Sequence, residues 1–148
     1  METTNTIQDD TEQRIAALAK HLGCEVADIT ESTYGENSFD AQGGEYLVLT
    51  DDEADELAER EIRESIWAFN ADFVASHTKN GLSDECIEAI KEMQGRLCED
   101  ANPIIEALIE DMDHFISDAI LSDGRGNFIS RYDGEEAEEG AFFIYRTN

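Results

Sequence analysis

The chain has 148 residues, of which 36 are Asp or Glu and 10 are Lys or Arg, for a formal net charge of -26 at pH 7. Such a charge repels nucleic acid and anionic membranes and attracts basic surfaces, and no apolar run approaches the length of a membrane span. A hydrophobic fraction of 41%, with seven Phe in mostly periodic segments, argues against disorder. It predicts one packed domain over 1–148, with residues 1–8 flexible.

The acidity is spread evenly. Residues 1–50, 51–100 and 101–148 carry 8, 10 and 8 net negative charges, so the excess belongs to the folded body and not to a tail. Duplex DNA carries one charge per about 1.7 Å of axis, so 26 charges correspond to about 13 base pairs, close to the roughly 40 Å diameter expected of a chain this long. A halophilic origin is the rival explanation, and the apolar choices fit it poorly, since Ile greatly outnumbers Val. Cys24, Cys86 and Cys98 form no C-x-x-C pair, which suits a reducing cytoplasm. METTNTIQDD carries neither a basic region nor an apolar core, so no signal peptide is expected.

In chain order, Ile15, Leu18, Ala19 and Leu22 predict a short amphipathic helix over 10–22, ended by Gly23. Strands are expected at 30–34, closing on Tyr34, and at 45–49, with a short one around Phe39. Thr50 with Glu53 reads as a capping box, with Asp51 and Asp52 in the positive field of the helix start. The helix that follows is predicted to carry Ala54, Ala58, Ile62, Ile66, Phe69 and Phe73 on one apolar stripe. Trp67, Asn70 and Val74 lie beside that stripe and suit either a helix–helix contact or an exposed aromatic anchor.

Ser83 is placed to cap a helix with the stripe Ile87, Ile90, Met93 and Leu97. Gly95 either ends that helix early or sits inside it at a cost of about 1 kcal/mol. Asn102-Pro103 reads as the N-cap and first position of a long helix that Asp123-Gly124 closes. Two strands, 127–132 and 141–146, are predicted on either side of the turn DGEEAEEG. The fold class is α+β, with three to four helices on a small antiparallel or mixed sheet and a C-terminal β-hairpin.

Few constellations point to chemistry. His114 has Asp111 three residues before it and Glu110 and Asp118 four residues to either side, the local spacing of a carboxylate–histidine metal site. His21 and His77 show no matching partners in the sequence, so His114 reads as a solvated, acid-flanked histidine. No metal and no cofactor is expected. Residues 123–136 depart from a calcium loop where Arg125, Phe128 and Gly134 replace a ligand, the turn glycine and the final Glu. Cys86 and Cys98 read as small core residues. No Walker loop, dinucleotide fingerprint or G-x-S-x-G element is present, so no catalytic residue is assigned and the chain is expected not to be an enzyme.

The carboxylates remain. Asp51, Asp52, Asp55, Glu56 and Glu59 form a patch on the first turns of the long helix. Glu106, Glu110 and Asp113 make an i, i+4, i+7 line on the last helix, and Glu135, Glu136, Glu138 and Glu139 crowd the C-terminal turn. As solvated faces they would be partly compensated by Glu56–Arg60 and Glu59–Arg63 pairs. Solubility needs a net charge of only about 2 to 8, so the excess is better explained by a basic partner or a mimicked polyanion.

The strings YGENSF, GGEYLVLTDDEAD, IRESIWAFNADF, DGRGNFISRYDGEE and FFIYRTN cover most of the chain from Tyr34 onward. On them the protein resembles a family of small acidic proteins of bacteriophage and mobile-element genomes, for which no activity, cofactor or catalytic residue carries over. The resemblance implies a phage-encoded protein acting in the cytoplasm of a bacterial host. Together with the composition, it leads to the expectation of an acidic nucleic-acid mimic that occupies the basic groove of a host defence or DNA-binding protein, of the anti-restriction or anti-CRISPR type. The alternatives are an acidic adaptor for a basic phage or host protein without mimicry, and a small metal-dependent enzyme. Neither direct nucleic-acid binding nor membrane association is expected, and a dimer is compatible with the sequence.

Overall fold

The computed structural model describes residues 2–33 and 35–148, with side chains from Asp10 onward. Tyr34, expected to close a strand, lies outside the described residues, as do the side chains of the segment 1–8 expected to be flexible. The chain is α+β and divides into two compact units, one made of the residues up to Leu57 together with Arg125–Asn148, the other of Ala58–Gly124.

The first unit is built on an antiparallel sheet of β1 (Thr30–Glu31), β2 (Ser38–Ala41), β3 (Gly44–Leu49), β4 (Ala137–Glu139) and β5 (Phe142–Arg146), in the order β1-β2-β3-β5-β4. The β2–β3 hairpin pairs Ala41 with Gly44 across Gln42 and Gly43, both at positive φ. That is the conformation of a two-residue type I′ turn, which matches strand twist and favours glycine at its second position. Helix α1 (Glu2–Leu22) begins earlier than the apolar spacing predicts and ends at Gly23, whose N–H donates to the Ala19 carbonyl (2.8 Å). Leu18 and Ala19 pack with Ile29, Phe39, Tyr46, Val48, Phe142 and Ile144 to form the core of this unit.

The C-terminal hairpin departs from expectation. The segment predicted as a strand at 127–132 holds a short helix, α7 (Arg125–Ile129), and the turn DGEEAEEG itself supplies β4, with Glu139 opposite Phe142. Sheet positions beside β5 are filled by β3 and β4, so the segment with Phe128 and Ile129 cannot pair with β5 as the predicted hairpin requires, despite its β-forming character. Gly126 admits the backbone of Gly134 and Glu135, since a Cβ there would lie 2.6 Å from the Gly134 carbonyl oxygen. Ser130 fastens the loop, its Oγ lying 2.5 Å from the Arg146 carbonyl and 2.9 Å from Asp133 Oδ1.

Helix α2 (Asp51–Glu64) opens in the first unit on the expected capping box: the Thr50 N–H donates to Glu53 Oε1 (2.8 Å), and the Glu53 N–H donates to Thr50 Oγ1 (3.3 Å). The predicted continuous helix to Phe73 is broken. Ser65 Oγ bonds back to the Glu61 carbonyl (2.6 Å), a single 3-10 turn spans Ile66–Ala68, Phe69 is extended, and Asn70 caps α3 (Ala71–Ser76) by accepting from the Asp72 N–H. Side-chain competition for backbone groups at Ser65 and Asn70 outweighs the continuous apolar spacing.

The remaining helical unit holds α4 (Asp84–Leu97), α5 (Asn102–Leu108) and α6 (Met112–Asp123). Ser83 caps α4 as expected, and Gly95 sits inside that helix. The single helix predicted over 102–123 is two, because Ile109 is extended and Asp111 caps α6 by accepting from the His114 N–H (3.2 Å). Asn102 does not cap its own helix. Its amide bridges the break after α2, donating to the Glu64 carbonyl and accepting from the Trp67 N–H, each at 2.8 Å. Ile62, Ile66, Val74, Ile105 and Phe115 are fully buried here, whereas Cys86 and Cys98, expected in the core, are exposed. No helix among the described residues is long and apolar enough to cross a membrane.

Candidate functional site

In a chain with so many acids, the informative residues are the few bases, and the fold gathers carboxylates around them. Arg14, on the sheet-facing side of α1, is only 4% exposed. Its guanidinium donates to both carboxylate oxygens of Glu53 (2.7 and 3.1 Å), to Asp10 Oδ2 (2.8 Å) and to the Val48 carbonyl (2.7 Å), and stands 5.2 Å from the Phe142 ring centroid. Burial alone would lower the guanidinium's pKa; the bonds to Glu53 and Asp10 outweigh it and raise it. Burial likewise would raise the Glu53 carboxyl, but the bonds from Arg14 and the Thr50 amide hold it below the ordinary value.

Arg125, the first residue of α7, is the second such centre. Its side chain is 10% exposed and reaches Asp51 Oδ1 (2.8 Å), Asp55 Oδ1 (2.8 Å) and Glu136 Oε1 (2.7 Å) while lying over the Phe143 ring, 4.6 Å from its centroid. Desolvation opposes its charge, and the three carboxylates more than restore it. Glu136 also accepts from the fully buried Tyr145 hydroxyl, whose pKa is raised by burial first and then by that carboxylate.

The helical unit has a smaller version and a different one. Arg63 bridges Glu106 (2.5 Å) and Glu59 (3.4 Å). His77, at the C-terminus of α3 with its side chain only 6% exposed, brings Nε2 to 3.1 Å from Asp118 Oδ2, and His114 Nε2 lies 3.2 Å from the same oxygen. The His77 ring packs edge-on to Phe115 and tilted against Phe73. The reading that His77 lacks a partner is therefore corrected, and Asp111 is removed from the candidate metal set because its carboxylate caps α6.

The twelve carboxylates expected to face a partner separate into two groups. Asp51, Asp55 and Glu136 are drawn together by Arg125, Glu59 and Glu106 by Arg63, and Glu139 pairs with Lys20 at 3.2 Å. Asp52, Glu56, Glu110, Asp113, Glu135 and Glu138 are exposed, with no ion pair among the described residues. The predicted line Glu106–Glu110–Asp113 does not form, because the helix stops before Glu110, whose N–H donates to the His77 carbonyl (3.0 Å). Arg14, Arg125 and His77 were missed as organising residues. The sequence offers a signal for His77, a histidine four residues after Phe73 on an apolar face, and none that separates Arg125 from the nearby Arg131.

No family model matches the sequence, and no curated protein or solved structure matches it either.

Proposed function

We propose that this protein is a non-enzymatic inhibitor or modulator that presents its carboxylates to a basic groove, as an acidic mimic of nucleic acid, and that its target is a host defence or DNA-binding protein in the cytoplasm of a phage-bearing bacterium. One observation carries the reading: the sheet unit draws two guanidiniums inward and leaves most of its carboxylates at the surface. The sheet unit has 20 acids and 5 bases. Two of those bases, Arg14 and Arg125, are withdrawn from solvent, while the Asp51 and Asp55 side chains that hold Arg125 remain 67% and 59% exposed. The accessible surface of this unit is thus more one-signed than its composition, which favours electrostatic steering toward a basic partner.

The test is capture of partners on the immobilised protein at low salt, elution with duplex DNA, and affinity measurement on the protein released. In a variant carrying D52N, E56Q, E110Q, D113N, E135Q and E138Q, affinity for that partner is expected to fall at least tenfold and its salt dependence to flatten, with no loss of melting temperature. Undiminished affinity in this variant sinks the proposal. A specific partner that DNA cannot displace favours the adaptor reading instead.

A further inference from the structure

We infer that His77, His114 and Asp118 form a binding site for a first-row divalent cation, with Zn²⁺ the best match, joining the end of α3 to α6. This inference is independent of the proposed partner binding. His114 and Asp118 are four residues apart on one face of α6, the helical spacing that lets two side chains reach one ion. The third donor arrives from a different element and is fixed in place. His77 is buried, wedged against Phe73 and Phe115, and its ring centroid lies 5.1 Å from that of His114.

The distances suit coordination. The three donor atoms lie within 4.8 Å of one another, and both imidazole Nε2 atoms stand 3.1–3.2 Å from Asp118 Oδ2. With metal–ligand bonds of about 2.0–2.1 Å, such N···O separations correspond to ligand–metal–ligand angles of roughly 100°, near tetrahedral. Two imidazoles and one carboxylate select zinc and its neighbours over magnesium or calcium, which take oxygen ligands. His114 is 64% exposed on its side chain, so an ion has a route in from solvent and a coordination position remains for water. The helical unit, with 16 acids and 5 bases, attracts cations in general. The second carboxylate trio, Asp51, Asp52 and Asp55, is a weaker candidate because Arg125 already occupies two of its members.

The inference is tested on the full chain with Cys86→Ser and Cys98→Ser, which removes exposed thiols that bind zinc adventitiously. Imidazole ¹⁵N shifts are followed while ZnCl2 is added. The expected result is that His77 and His114 shift together and saturate at one equivalent, that the exposed His21 does not follow them, and that the melting temperature rises. His114→Ala and Asp118→Asn should each weaken binding at least tenfold, and MgCl2 at the same concentration should leave both rings unchanged. Zinc affinity unaltered in His114→Ala, or His21 responding as strongly as His77, would mean diffuse surface binding and would overturn the site.

Discussion

In the sheet unit the groups taken inward are two guanidiniums, Arg14 and Arg125, each met by two or three carboxylates and by an aromatic face. In the helical unit the inward basic group is the imidazole of His77, with a single shared carboxylate, and the backbone break after α2 is secured by the neutral amide of Asn102. An arginine is charged at every pH the fold survives, so its carboxylate collar is a permanent feature of the structure. The sheet unit therefore buries fixed charge, whereas in the helical unit the fixed cation Arg63 stays nearer the surface, 37% exposed, and the buried basic group is an imidazole.

The hardest test of that contrast is at Glu53. Glu53→Ala leaves the buried Arg14 with only Asp10 as an ionic partner and removes the capping box, for an expected loss of about 3–4 kcal/mol measured by urea unfolding. The sign with pH follows from the depressed Glu53 value. Its stabilisation is complete above the ordinary 4.5 and is lost as pH falls through the lower folded-state value. Glu53→Gln should accordingly flatten the acid limb of the stability profile. An acid limb identical to that of the parent chain would remove Glu53 from the account.

A smaller effect is expected at Arg125. Its carboxylates are partly exposed and each contact is discounted by solvent, so Arg125→Met should cost about 2 kcal/mol, including the lost stacking on Phe143. Because that variant leaves Asp51, Asp55 and Glu136 in mutual repulsion, its deficit should shrink in 1 M salt, where screening acts over about 3 Å. The smallest effect belongs to the helical unit. Asn102→Ala removes two bonds to the backbone, for about 1–2 kcal/mol. That loss should not respond to salt as the Arg125→Met loss does. A salt-sensitive Asn102→Ala deficit would erase the distinction between the units.

The sequence was most legible where a local rule decides the outcome. The Thr50–Glu53 box, the Ser83 cap, the Gly23 and Gly124 helix ends and the strand at 45–49 each depend on a few neighbouring residues, and each is found. The continuous helices over 51–73 and 102–123 were misread because apolar spacing continues across both breaks, while the breaks are made by Ser65, Asn70 and Asp111 bonding to nearby backbone. The strand over 127–132 failed for a non-local reason, the lack of a free sheet position beside β5. The candidate carboxylates were legible as acids but not by role. Whether an Asp faces solvent or clasps Arg125 depends on a residue some seventy positions away.

The order of the sheet has one further consequence. Its two outer strands are also its shortest, β1 with two residues and β4 with three, and they carry Glu31, Glu138 and Glu139. An unpaired strand is a template on which another chain can extend a sheet, and short, negatively charged borders suppress that growth. Negative charge thus lies on both borders of the sheet, where edge-to-edge pairing with a second copy would begin, and disfavours that pairing.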